Sequence, residues 1–196
     1  MVAYGVTTVI DLRSESEVAS SPGPFAAPAS NGVRPAYLHM PLIDDATMLK
    51  LSKASNMFDR YLMMLEHRQA AFGQVFRTLA QAEGTVVFHC FAGKDRTGMV
   101  AAMSLVLAGV EVDAIAADYA ETDSQMAARY EEWLAAASPE RLHEMRDDLR
   151  CPPERIVGVL DHLQQRWGGA EAYLGAAGVL ATDIARLQGR LISPAS

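Results

Sequence analysis

Residues 85–107, TVVFHCFAGKDRTGMVAAMSLVL, constrain the fold more than any other stretch. The first five form a short apolar run that reads as a buried strand. Residues 97–107 are apolar nearly all round, so a helix there must be covered on every side. A buried strand that feeds a buried helix through a short loop belongs to an α/β protein. Two further runs read as strands, residues 6–12 (VTTVIDL) and 37–42 (YLHMPL). The stretch 13–35 is rich in Ser, Pro, Gly and Ala and reads as an exposed loop. From Ala46 the period turns helical, with Met48, Leu51, Met57, Tyr61, Leu62 and Leu65 on one face. A second helix is expected over about 70–83, closed by Gly84. After Gly109 the chain reads as helices over about 111–122, 124–137, 139–149, 153–167, 170–176 and 181–191, with Ser138 as a cap and Pro139 in a first turn. The expectation is an α/β fold: a small, mostly parallel central sheet flanked by helices, with a helix-rich C-terminal half.

The chain has 196 residues, half of them hydrophobic, and a net charge of −7, which fits one globular domain over 1–196. It lacks the Lys/Arg runs of a nucleic-acid binder. Two cysteines, Cys90 and Cys151, make no disulfide framework and no zinc spacing. The start turns charged too soon for a signal peptide, and the longest apolar run, 99–110, is too short to span a membrane. A cytoplasmic protein, or one exported without a recognisable signal, is expected.

The loop between strand and helix carries the chemistry. Cys90 would stand at the carboxyl end of a strand, where open α/β sheets bind ligands. The residues Phe91, Ala92, Gly93, Lys94 and Asp95 separate it from Arg96. A loop of that length can turn its N–H groups inward as an anion nest, and the following helix adds its positive end there. Gly93 permits a backbone angle that other residues resist. Arg96 can grip two phosphate oxygens with its planar fork. A thiol in such a ring ionises easily. Thr97 can donate its hydroxyl to the sulfur, and Phe91, Ala92, Gly93, Lys94, Thr97 and Gly98 are the candidate substrate-binding residues; His89 can hold the loop by bonding nearby backbone. The plain alternative, a core thiol ending a strand, does not account for the charged residues that follow it.

The segment HCFAGKDRTG resembles the signature loop of the cysteine-dependent protein tyrosine and dual-specificity phosphatases. Its Gly-Lys-Asp-Arg-Thr-Gly form is similar to the bacterial branch typified by the mycobacterial PtpB-type tyrosine phosphatases. GVTTVIDLRS at 5–14, DAIAADY at 113–119 and GGAEAYLGAAG at 168–178 extend the resemblance over most of the chain. It implies a phosphomonoester hydrolase that acts on phosphotyrosine, with phosphoserine, phosphothreonine and phosphoinositides as further substrate classes. The implied mechanism runs through a phosphocysteine on Cys90 and needs no metal or other cofactor. The resemblance also implies that the family's N-terminal segment is absent here, and that 123–150 forms a helical lid.

The general acid has several candidates. Asp95 lies inside the loop, in a position to which the resembled branch gives a catalytic role. Asp44 and Asp45 stand near a strand end, where helix capping is the competing reading. Asp118 is a further option. Lys94 is either a solvated charge or an extra phosphate contact that would favour polyanionic substrates. Met48, Met57, Met63 and Met64 are either core filling or the lining of an adaptable groove. Asp11 and Arg13 read as structural contacts. Cys151 reads as a plain thiol. Two other classes of function compete: a catalytically weak or inactive module that binds phosphorylated ligands, and arsenate reduction, for which one remote cysteine is a poor thiol supply.

Overall fold

The computed structural model describes residues 4–25 and 35–192. Strand β1 (Val6–Asp11) lies at the centre of a three-stranded sheet, between β2 (Ala36–His39) and β3 (Thr85–His89). Both pairings are parallel, with Val9 opposite Tyr37 on one side and Val87 on the other. Val9 and Ile10 are fully buried although their side chains face opposite ways, because helices cover both sheet faces.

Parallel strands need long crossovers. From β1 the chain runs through α1 (Glu15–Ser20) and on to β2. Between β2 and β3 lie α2 (Asp45–Leu51), α3 (Met57–His67) and α4 (Gln69–Gln81). From β3 the chain turns through the cysteine loop into α5 (Asp95–Leu107), whose Met99, Val100 and Met103 are completely covered. That is the central helix expected from its all-round apolar sequence. The C-terminal half adds α6 (Val112–Ala135), α7 (Leu142–Leu149), α8 (Pro153–Trp167), α9 (Ala170–Ala176) and α10 (Ala181–Ile192).

The structure departs from the sequence reading in four places. The expected loop 13–35 contains α1, nucleated by a capping box in which Ser14 and Glu17 satisfy each other's backbone amides; residues 26–34 of that expected loop lie outside the described residues. The face beginning at Ala46 divides into α2 and α3, because Asn56 caps a new helix through the Asp59 amide. The helices expected at 111–122 and 124–137 are one 24-residue helix. No Pro or Gly interrupts it, and Asp123, at the expected break, accepts from the Cys151 amide at 2.8 Å. Ser138 to Arg141 form a turn, closed by the Arg141 amide on the Ser138 carbonyl, and α7 begins only at Leu142.

Candidate active site

Cys90 follows the last residue of β3 and is buried in the core, 5% exposed. The loop after it curls back through Gly93, at φ +69°. Among the described residues, the backbone N–H groups of 91–97 donate to no protein acceptor. Part of this is the normal deficit of a helix start. The rest comes from a loop whose amides are left open, and such a run of unspent donors is chemically suited to an anion.

The base of the loop is fixed from the sheet. The Leu12 amide donates to the His89 carbonyl at 2.8 Å. His89 Nδ1 lies 3.0 Å from the Cys90 carbonyl; a carbonyl only accepts, so Nδ1 carries the proton. Its Nε2 lies 3.8 Å from Asp11, a fully buried carboxylate. Asp11 accepts from the Arg13 fork at 2.6–3.1 Å and from the Tyr37 hydroxyl at 2.9 Å. Burial pushes the Asp11 carboxyl up, but these donors outweigh it and hold it below its ordinary range. Asp11 and Arg13 are therefore structural, as their sequence suggests.

Arg96 is buried, and Cys90 is near enough to act on its charge. Its Nη1 and Nη2 donate to Glu17 Oε2 and Oε1 at 2.5 and 2.7 Å. Among the described residues its Nε edge makes no hydrogen bond. One edge of the fork is thus tied down and the other remains for an oxyanion. Burial opposes the charge on Arg96, but Glu17, the Cys90 sulfur and Asp95 more than restore it. Glu17 itself is pushed up by burial and pulled below its ordinary value by Arg96 and Ser14.

Asp95 opens α5 and, with Arg96, lines a cavity of about 250 Å³. Its other walls are mostly apolar: Ile43, Met48, Leu51, Met57 and Met64. Three of the four methionines singled out from sequence therefore line a groove beside Arg96, while Met63 packs against the core. Tyr61 donates to Asp95 Oδ1, and Lys94 Nζ lies 3.2 Å from the same oxygen.

The other acid candidates stand elsewhere. Asp44 caps α2 through the Thr47 amide at 2.7 Å and pairs with Arg68. It lines a separate depression with Glu15, His39 and Arg68, so it does not join Arg96. Asp45 is exposed and accepts from Ser16 at 2.6 Å. Asp118 is exposed on a small cavity of about 120 Å³ behind the loop, beside Gly93, Thr97, Gly98 and Tyr119.

Several loop residues take roles that the sequence does not suggest. The Lys94 side chain is buried and donates to the Asp148 carbonyl at the end of α7 rather than extending into solvent. The Thr97 hydroxyl is buried without a hydrogen-bond partner, so the expected donation to the Cys90 sulfur is not made. The Gly98 amide closes the helix turn on the Lys94 carbonyl at 2.7 Å. A Cβ on Gly98 would stand 2.9 Å from the Tyr119 ring, so this glycine admits that ring against α5. Phe91 is 58% exposed, with its ring 6.0 Å from that of Trp133 on α6. Ala92 is half-buried in the loop.

The whole chain matches a known pattern as well as a local one. The profile described as "Tyrosine phosphatase family" spans residues 1–193. The chain belongs to the tyrosine phosphatase family. It is 34% identical over 209 residues to a tyrosine-protein phosphatase of Nostoc commune, covering 97% of this chain and 68% of the relative. It is 28% identical over 241 residues to the triple specificity protein phosphatase PtpB of Mycobacterium tuberculosis, covering 96% of this chain and 83% of that one.

Within this family member, sequence reasoning missed three residues of the site: Glu17, Tyr61 and Tyr119. Glu17 had a signal, the capping pattern Ser14-x-x-Glu17. Tyr61 and Tyr119 looked like ordinary helix-face aromatics, and only the tertiary packing brings the Tyr61 hydroxyl to Asp95 and the Tyr119 hydroxyl to Tyr61.

Proposed function

We propose that this tyrosine phosphatase family member hydrolyses aryl phosphomonoesters, phosphotyrosine in proteins foremost, through a covalent phosphocysteine on Cys90. The Cys90 thiolate attacks phosphorus as the ester P–O bond breaks. The leaving oxygen takes that electron pair and a proton from Asp95. Water then attacks the phosphocysteine, gives a proton to Asp95, and releases phosphate and thiolate. The open loop amides and the free edge of Arg96 hold the three non-bridging oxygens as charge develops. Neither step draws on a metal. The observation that carries this reading is the run of unspent amides at 91–97 between a buried thiol and a buried Arg96 whose charge that thiol favours. A thiol so placed adds nothing to simple phosphate binding, which argues against an inactive module.

The apolar cavity beside Asp95 favours an aromatic leaving group over a sugar or inositol ring. The engagement of Lys94 with Asp148 and Asp95 supports the same preference, since a second phosphate gains no free lysine there. Phosphoserine, phosphothreonine and phosphoinositides are the second reading, and inositides with a further phosphate require Lys94 to leave α7. We also infer that the distal part of α6 and α7 act as a cover. Arg60 pairs with Asp148 at 2.9 Å, and the Phe91–Trp133 contact and the Lys94 anchor link this cover to the loop. Slower hydrogen exchange at 123–150 with bound vanadate supports the cover, and unchanged exchange opposes it.

The test is hydrolysis of phenyl phosphate with EDTA present. Turnover lost in Cys90→Ser and retained with EDTA supports the proposal. Turnover that survives Cys90→Ser, or that requires added metal, overturns it.

A further inference from the structure

Two tyrosines, one on α3 and one on α6, form a hydrogen-bonded relay that ends on Asp95. Tyr61 of α3 is fully buried and donates to Asp95 Oδ1. Its oxygen lies 2.8 Å from the Tyr119 hydroxyl of α6. The direction of that second bond follows from the first. Tyr61 has spent its proton on the carboxylate, so Tyr119 must be the donor. The chain is Tyr119 O–H to Tyr61 O–H to Asp95. The ring of Tyr119 reaches this place because position 98 has no Cβ.

Both contacts to Asp95, from Tyr61 and Lys94, fall on Oδ1. Among the described residues Oδ2 makes no hydrogen bond. The carboxyl group is therefore held by one oxygen, and the other is left for a proton. Tyr61 is suited to be a permanent donor: burial, then the charge of Asp95, raises its pKa well above the ordinary phenol value, so it keeps its proton.

We propose that Tyr61, backed by Tyr119, is the positioning residue that fixes Asp95 so that Oδ2 presents its proton to the leaving oxygen. This rests on the assignment of Asp95 as the acid. In the step concerned, the P–O bond breaks, its electron pair goes to the leaving oxygen, and the proton on Oδ2 follows. Tyr61 does not exchange a proton and never touches the substrate. A misaimed acid slows only reactions that need protonation, so the effect depends on the leaving group.

The experiment compares kcat/KM for phenyl phosphate and dinitrophenyl phosphate in wild type, Tyr61→Phe, Tyr119→Phe and Asp95→Asn. Phenoxide is a poor leaving group that needs the proton, and dinitrophenoxide is a good one that does not. Tyr61→Phe is expected to lose on the order of tenfold on phenyl phosphate and to stay within about twofold on dinitrophenyl phosphate. Tyr119→Phe, which keeps the direct bond to Asp95, is expected to show the same split in smaller degree. It also preserves the test if Tyr61→Phe fails to fold. Equal losses on both substrates, or no loss in either tyrosine variant, overturn the positioning role. Asp95→Asn serves as the reference. If it shows no split, the acid assignment fails. If it shows a split and the tyrosine variants do not, only the proposal made here fails.

Discussion

Glu17→Gln is the substitution whose consequences the structure defines most fully. The carboxylate makes two charge-assisted hydrogen bonds to Arg96, at 2.5 and 2.7 Å, and accepts the Ser14 amide at 2.8 Å. The pair is nearly dry, with Glu17 19% and Arg96 9% exposed at the side chain. The amide keeps one acceptor oxygen and turns an N–H pair toward a donor. One charge-assisted bond is lost, about 1.5–3 kcal/mol, and the helix cap weakens by about 0.5–2 kcal/mol. Together these give a stability loss of about 2–5 kcal/mol, overlapping the roughly 3–5 kcal/mol seen when a fully buried partner is removed. For catalysis, the edge of Arg96 that Glu17 fixes is not the edge left for phosphate. Losing the anchor lets the guanidinium swing, and about 1.4–2.8 kcal/mol of lost transition-state stabilisation is a ten- to hundredfold fall in kcat/KM. Steady-state kinetics on an aryl phosphate, inhibition by vanadate, and urea denaturation read these separately. A Glu17→Gln enzyme that binds vanadate more tightly and turns over as fast as wild type would refute this reasoning. It would show Glu17 competing with the substrate for Arg96 rather than holding Arg96 for it.

Three further outcomes are expected. Burial, followed by the nearby Asp123 and Asp95, pushes the Cys151 thiol up to about 11, so iodoacetamide at neutral pH should label Cys90 and spare Cys151 in the folded enzyme; peptide mapping that finds equal labelling contradicts this. Gly98→Ala should cost about 1–3 kcal/mol, because the new Cβ meets the Tyr119 ring at 2.9 Å; unchanged urea denaturation would mean that the ring moves aside freely. Asp11 and Glu17 both titrate below their ordinary values in the folded state. Their contribution is therefore present above the unfolded carboxylate pKa of about 4 and is lost as pH falls through the folded values. Asp11→Asn should be less stable than wild type at neutral pH and lose less stability on acidification, as urea denaturation across that range would show.

The sequence carried the strands at 6–12 and 85–89 because their β-branched character outweighs any helical period. It carried α5 because an all-apolar helix has only one place to go. Cys90 and Arg96 were legible because loop chemistry is local: five residues of spacing fix what can surround one anion. Which aspartate stands beside Arg96 was not, since Asp44, Asp45, Asp95 and Asp118 differ only in where tertiary packing takes them. Asp44 is spent on a helix cap and Arg68, whereas Asp95 shares a cavity with Arg96. Lys94 reads as a loop charge, yet the end of α7, far away in sequence, supplies the carbonyl that buries it. The merging of two expected helices into α6 has the same origin. Asp123 falls between the two expected helices, and its carboxylate accepts the amide of Cys151, 28 residues on, a contact that no local pattern foretells.

The central claim is that Cys90 carries the phosphoryl group. A single-turnover reaction with dinitrophenyl phosphate, stopped in acid at early times and followed by peptide mass analysis, tests it directly. The account predicts a transient phosphoryl adduct on the peptide containing Cys90, absent in Cys90→Ser. Product formed in full with no adduct on that peptide at any time, under conditions that preserve a phosphocysteine standard, would contradict it.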